Sequence, residues 1–93
     1  MIELGGNIKL IGFNDLDHGS LIVVKKIAGN YAKKISEKLN SGVDELSLEL
    51  KDDAQKIITS NLKIKDKSLN SEVSDINLFY ALDKALAKLL KEL

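Results

Sequence analysis

Two hydrophobic rhythms meet close to the end of this chain. Leu62, Ile64, Leu69, Ser71 and Val73 alternate with polar neighbours, the period of a β-hairpin. Leu78, Phe79, Leu82, Ala85, Leu86, Leu89 and Leu90 then fall on one stripe at helical spacing. Upstream, Met1 to Leu10 reads as a strand with Ile2, Leu4, Ile8 and Leu10 on one side, and its Gly5-Gly6 pair predicts a bulge or a close backbone approach. Phe13 to Ser20 is polar and reads as a loop that ends in a helix N-cap. Leu21, Val24, Ala28, Tyr31, Ile35 and Leu39 predict an amphipathic helix over Ser20 to Leu39, stopped by Asn40-Ser41-Gly42. Gly29 inside that helix costs stability, which predicts a close contact with the sheet or the other helix at that point.

Val43 to Lys51 alternates as a strand, with Leu46, Leu48 and Leu50 inward. After a polar connection over Asp52 to Gln55, two more strands follow, Ile57 to Lys65 and Leu69 to Ser74, joined through Lys65-Asp66-Lys67-Ser68. Asp75 and Asn77 are placed to cap the final helix, which runs almost to Leu93. The order β-α-β-β-β-α predicts one α+β domain over residues 1–93, a four-stranded sheet with two helices packed on one face. The other face would show Glu3, Lys9, Glu45, Glu49, Thr59, Asn61, Lys63, Asn70 and Glu72, with no aromatic platform for stacking bases.

Composition narrows the function by exclusion. The apolar fraction of 44% suits a soluble domain, and no apolar run approaches the roughly 20 residues of a membrane span. No basic stretch precedes an apolar one near Met1, so no secretory signal is expected. There is no cysteine, hence no disulfide framework and no thiolate metal site, which fits the cytoplasm. The single histidine, His18, stands beside Asp15 and Asp17 without further ligands or a nucleophile, the pattern of a solvated turn or helix start. Leu4-Gly5-Gly6-Asn7 lacks the lysine and the spacing of a phosphate loop. No enzyme activity, metal, cofactor or small-molecule substrate is expected.

Charge points elsewhere. The 14 acidic residues balance 14 basic ones, all of them lysine, so bulk electrostatics does not drive nucleic-acid binding. Lysines nevertheless fall in rows. Lys84, Lys88 and Lys91 stand at i, i+4 and i+7 on the last helix, opposite its leucines. Lys26 and Lys33 stack on the first helix, with Lys25, Lys34 and Lys38 nearby. Helices side by side would bring these rows into a ridge able to follow a phosphate backbone. The opposing reading is an ordinary solvated face diluted by Glu37, Asp83 and Glu92.

Three short segments carry a family resemblance. Asn77-Leu-Phe-Tyr-Ala-Leu-Asp83, followed by Lys88-Leu89, resembles the C-terminal helix of the ribosome hibernation and translation-inhibitor domain, which typically begins Asp-Met-Tyr-Ala-Ala-Ile-Asp and continues to a Lys-Leu pair. Gly5-Gly6-Asn7-Ile8-Lys9-Leu10 is similar to that family's first strand, and Tyr31-Ala-Lys-Lys-Ile35 to the lysine-bearing middle of its first helix. The family's aspartate at the helix start is Asn77 here, its tyrosine is Phe79, and its arginines are absent. The resemblance implies the same β-α-β-β-β-α fold and a site on small-subunit ribosomal RNA. Lys33 and Lys34 would contact it from the first helix, Lys88 and Lys91 from the second. The leading expectation is therefore a non-enzymatic ribosome- or structured-RNA-binding domain using Lys25, Lys26, Lys33, Lys34, Lys84, Lys88 and Lys91. The alternative is a protein-interaction or homodimerisation module that uses the sheet edge without RNA. A double-stranded-RNA-binding domain ranks lower, because Asp75-Ile76-Asn77 stands where that class carries lysines.

Overall fold

The computed structural model describes residues 2–5, 7–52, 54–65 and 67–93. In chain order the elements are β1 (Ile2–Leu4), β2 (Ile8–Ile11), α1 (His18–Leu39), β3 (Glu45–Asp52), β4 (Lys56–Ile64), β5 (Lys67–Asp75) and α2 (Leu78–Lys91). The sheet has five strands rather than four, in the order β1-β2-β3-β4-β5. The segment expected to be one strand from Met1 to Leu10 is a hairpin, with Leu4 opposite Ile8 and Ile2 opposite Leu10. Gly5 takes φ +60° at the reversal, a conformation that glycine adopts without strain. Two alternating runs separated by glycines and an asparagine are a turn signal, which the bulge reading passed over. Met1 and Gly6 themselves lie outside the described residues.

β2 and β3 are parallel, joined by α1 as the crossover, and every other neighbouring pair is antiparallel. Because side chains alternate along a strand, the register fixes which face each row occupies. Ile8, Leu10, Leu46, Leu48, Leu50, Ile58, Leu62 and Ile64 point to the helix-bearing face and are buried there. They meet Val24, Ala28 and Ile35 of α1 and Ala81, Leu82, Ala85, Leu86 and Leu89 of α2. Phe13 belongs to the same cluster and is fully buried, although it stands in a stretch whose composition reads as a polar loop. A single anchor residue has no periodicity to betray it.

Among the described residues one polar side chain joins this core. Ser60 is fully buried opposite Ser71, their hydroxyl oxygens 2.6 Å apart. Ser71 donates its only proton to the Ala85 carbonyl at 2.9 Å, so Ser60 must be the donor to Ser71. The chain of bonds ties β4, β5 and α2 together, and among the described residues no buried side-chain polar atom is left unpaired.

The turns follow local chemistry. Gly12, at φ +82°, lets the chain leave β2 against Leu50, whose carbonyl oxygen a Cβ would meet at 2.5 Å. Ile64 pairs with Lys67, so the β4–β5 connection is only two residues long, and Lys67 and Ser68 belong to the strand. Lys65 takes φ +53° there, and its N–H donates to the Asp44 carboxylate. Asp66 and Asp53, within the two connections read from sequence, lie outside the described residues. Gly29 departs from expectation: it is exposed, and a Cβ there would meet nothing within 4 Å. No described helix is long and apolar enough to cross a membrane.

Candidate functional site

Both helices lie on one face of the sheet, and two side-chain bonds fix how they run. The Tyr31 hydroxyl donates to the Asp83 carboxylate at 2.8 Å, and the Lys38 ammonium donates to the Leu90 carbonyl at 3.0 Å. Partners advance together along the two helices, so α1 and α2 are parallel. Asp17 caps α1, its carboxylate accepting from the Ser20 N–H at 3.1 Å, so the helix starts two residues before the expected Ser20. His18 is then the first residue of α1, with its neighbour Asp17 committed to the cap. Among the described residues no group of three or more histidine or carboxylate side chains could hold a metal ion. α2 starts as expected: Asn77 accepts from the Tyr80 N–H at 3.1 Å and Asp75 accepts from the Asn77 N–H at 3.0 Å.

The lysines divide by position. Lys25, Lys26, Lys33, Lys34, Lys38, Lys84, Lys88 and Lys91 are all exposed. With Tyr31 and Lys38 turned toward α2, Lys34 lies on the same flank of α1 and Lys26 and Lys33 on its outer crest, while Lys25 lies on the far flank. With Asp83 and Leu90 turned toward α1, Lys84, Lys88 and Lys91 run along the crest and outer side of α2. The two rows follow both banks of the helix pair, and the seam between them holds Tyr31 and Asp83. Lys84 is 3.6 Å from the Asp75 carboxylate and stands over the Tyr80 ring at 4.2 Å from its centroid. Lys34 stands 5.0 Å over Tyr31. Among the described residues, Lys25, Lys26, Lys33, Lys88 and Lys91 form no ion pair.

Electrostatics in the seam keeps Tyr31 neutral. Burial, and then the hydrogen bond to Asp83 and its charge, push the phenol pKa up to about 12. A shallow depression at the N-terminal end of the seam is lined by Ile27, Asn77, Phe79, Tyr80 and Asp83. Tyr31 and Phe79 are half-buried against the core, and Tyr80 is 55% exposed. On the open face of the sheet, Lys9 pairs with Glu45 at 2.6 Å and Lys63 approaches the same carboxylate at 3.7 Å. Lys9 holds the Glu45 carboxyl below its ordinary range by a hydrogen bond and by its charge. That face is a mixed-charge surface with no aromatic side chain, as its alternation predicts. Sequence reading missed the Tyr31–Asp83 and Lys38–Leu90 bonds. Both span 52 residues, and only the parallel packing of the helices brings them together.

A five-stranded sheet whose strands follow chain order, with a parallel β2–β3 pair and both helices on one face, defines the class of fold. Solved structures share it, among them the following two. The N-terminal domain of Thermus thermophilus Protein Y superposes with a TM-score of 0.73 at 19% identity, over 92% of this chain and 93% of that one. A ribosomal subunit interface protein from Coxiella burnetii gives 0.68 at 15% identity, over 94% and 90%. No family model matches the sequence, and no curated protein matches it.

Proposed function

We propose that this domain is a non-enzymatic ribosome-binding module of the hibernation and translation-inhibitor type, in which lysines of α1 and α2 contact ribosomal RNA phosphates in the cytoplasm. The observation that carries the reading is the fold, shared over nine-tenths of both chains with a ribosomal subunit interface protein. The helix-start motif Asn77 to Asp83 and the lysine-bearing middle of α1 support it from the sequence. The exposed lysine rows supply the chemistry. An ammonium group neutralises a phosphate as a point charge and releases condensed counterions, so neutral net charge is compatible with a local cationic surface. Lys25, Lys26, Lys33, Lys88 and Lys91 carry no ion-pair partner among the described residues and are free to do this. Lys34 and Lys84, each resting on a tyrosine ring, are more restrained contributors.

The test is binding to purified small ribosomal subunits over a salt series. The expected result is binding at low salt that weakens steeply as salt rises, and its loss in a triple variant with Lys33, Lys88 and Lys91 changed to glutamate. These side chains project into water, so the variant folds and its circular dichroism matches the parent. Absence of binding at low salt would overturn the proposal.

A further inference from the structure

The two edges of the sheet are unequal. β1 is three residues long and offers little backbone to a partner, whereas β5 is a nine-residue edge strand. Its sequence, Lys67-Ser68-Leu69-Asn70-Ser71-Glu72-Val73-Ser74-Asp75, is complementary to its own reversal about Ser71. Laid antiparallel against a second copy with Ser71 on the two-fold axis, Lys67 meets Asp75, Leu69 meets Val73, Ser68 meets Ser74 and Asn70 meets Glu72. The first two pairs lie on the helix-bearing face, and the last two on the open face. No like charges oppose each other.

We propose that β5 pairs with β5 of a second copy of this chain, joining two sheets into one ten-stranded layer. The complementarity selects a register as well as a partner. Moving the axis to Asn70 puts Lys67 opposite Val73, and moving it to Glu72 puts that carboxylate opposite itself and Leu69 opposite Asp75. Lys67 is exposed and has no ion pair among the described residues. Asp75 already holds the Asn77 N–H and lies 3.6 Å from Lys84, and a carboxylate retains acceptor capacity for a further ammonium group. The layer above fits too. α2 lies over β4 and β5, so its axis stands roughly one strand spacing, about 4.8 Å, from the two-fold. The two copies of α2 then run about 10 Å apart, the ordinary separation of packed helices. Lys84 and Lys88, on the outer side of α2, then border the two-fold seam, so pairing through β5 and phosphate contact by these two lysines compete.

Sedimentation velocity over a concentration series up to the millimolar range is the first test. The expected result is a rise from the monomer mass to twice that mass, and a shift back toward monomer for Lys67→Asp, which opposes two carboxylates at each end. Far-UV circular dichroism checks that the variant is folded. Register is tested separately with Asn70→Cys and Glu72→Cys, in a chain that has no native cysteine. Residues 70 and 72 face each other across the proposed axis. A mixture of the two variants therefore cross-links on oxidation, while each alone does so far less. A constant monomer mass at every concentration, or equal cross-linking of the single variants and the mixture, would overturn the proposal.

Discussion

α1 has 22 residues and buries three side chains, Val24, Ala28 and Ile35, whereas α2 has 14 residues and buries five, Ala81, Leu82, Ala85, Leu86 and Leu89. The shorter helix is therefore the structural one. It lies over β4 and β5, is bonded to Ser71 through the Ala85 carbonyl, and fills the centre of the core with leucine. The longer helix closes the parallel crossover and spends most of its surface on lysine, asparagine and even apolar side chains in water: Ile22 is 42% and Val23 39% exposed. Substitutions placed symmetrically on the two helices test this division of labour.

The largest difference is expected in the core. Leu86→Ala removes a fully buried side chain from α2 and should destabilise the domain by about 2–5 kcal/mol, measured by urea unfolding. Ile22→Ala on α1 should cost much less, no more than about 1 kcal/mol, since that residue is 42% exposed. An equal loss from both substitutions would refute the division of labour.

The caps come next. Asn77→Ala leaves the Tyr80 N–H unpaired at the start of α2 and should cost about 1 kcal/mol. The cap of α1 is instead ionisable. Hydrogen bonds from Ser20 hold the Asp17 carboxyl below its ordinary pKa. A carboxyl whose folded pKa is depressed stabilises the fold above its unfolded pKa and loses that contribution as the pH falls through the folded value. Acid should therefore loosen the first turn of α1 before that of α2, whose amide cap does not titrate. Amide hydrogen exchange followed across the carboxylate range reads both ends in one experiment, and Asp17→Asn should flatten the response of α1.

The seam between the helices titrates at the opposite end of the scale. Tyr31→Phe removes the bond to Asp83 and should cost about 1 kcal/mol at neutral pH. The phenol is raised from 10 to about 12, so the folded state favours its neutral form. That contribution is complete below the unfolded pKa and is lost as the pH climbs from 10 toward 12. Thermal unfolding over this range should show a loss of stability in the parent that Tyr31→Phe lacks. Identical slopes would show that the Tyr31–Asp83 bond does not join the helices in solution.

Much of this architecture was legible in the sequence because two periods, two and 3.6, write it directly. The alternation from Leu62 to Val73 forms a hairpin as expected, although the register, Leu62 opposite Leu69, leaves a two-residue connection where four were read. Asn77 caps α2, and both helices lie on the same face. The β1–β2 hairpin was missed because Ile2, Leu4, Ile8 and Leu10 keep one parity on both sides of the reversal, so their alternation looks continuous. Phe13 was missed because an isolated anchor has no period. For the lysine rows, sequence placed each side chain on a helix surface, but the parallel run of α1 and α2 decides which bank it occupies. Asp83 in the seam came from a contact between segments 52 residues apart, and Asp75 beside Lys84 from the turn of the chain between β5 and α2, neither of which helical spacing encodes.

The smallest expected effect has the opposite sign. A glycine inside a helix suggests a close neighbour, since the residue costs about 1 kcal/mol relative to alanine and is otherwise poorly suited there. Gly29 has no such neighbour: its backbone is helical, it faces water, and a Cβ would meet no atom within 4 Å. Gly29→Ala should therefore stabilise the domain by about 0.5–1 kcal/mol, mainly by narrowing the unfolded ensemble. The contrasting position is Gly12, where positive φ and the Leu50 carbonyl at 2.5 Å make the same change destabilising. Measured together, the two substitutions separate a glycine required by its surroundings from one that is merely tolerated. A gain at Gly29 without loss of small-subunit binding would show that the far flank of α1 serves neither packing nor recognition. If binding weakened while stability rose, that flank would belong to the interface, and the contact surface would extend beyond the crest lysines to the side of α1 that carries Lys25.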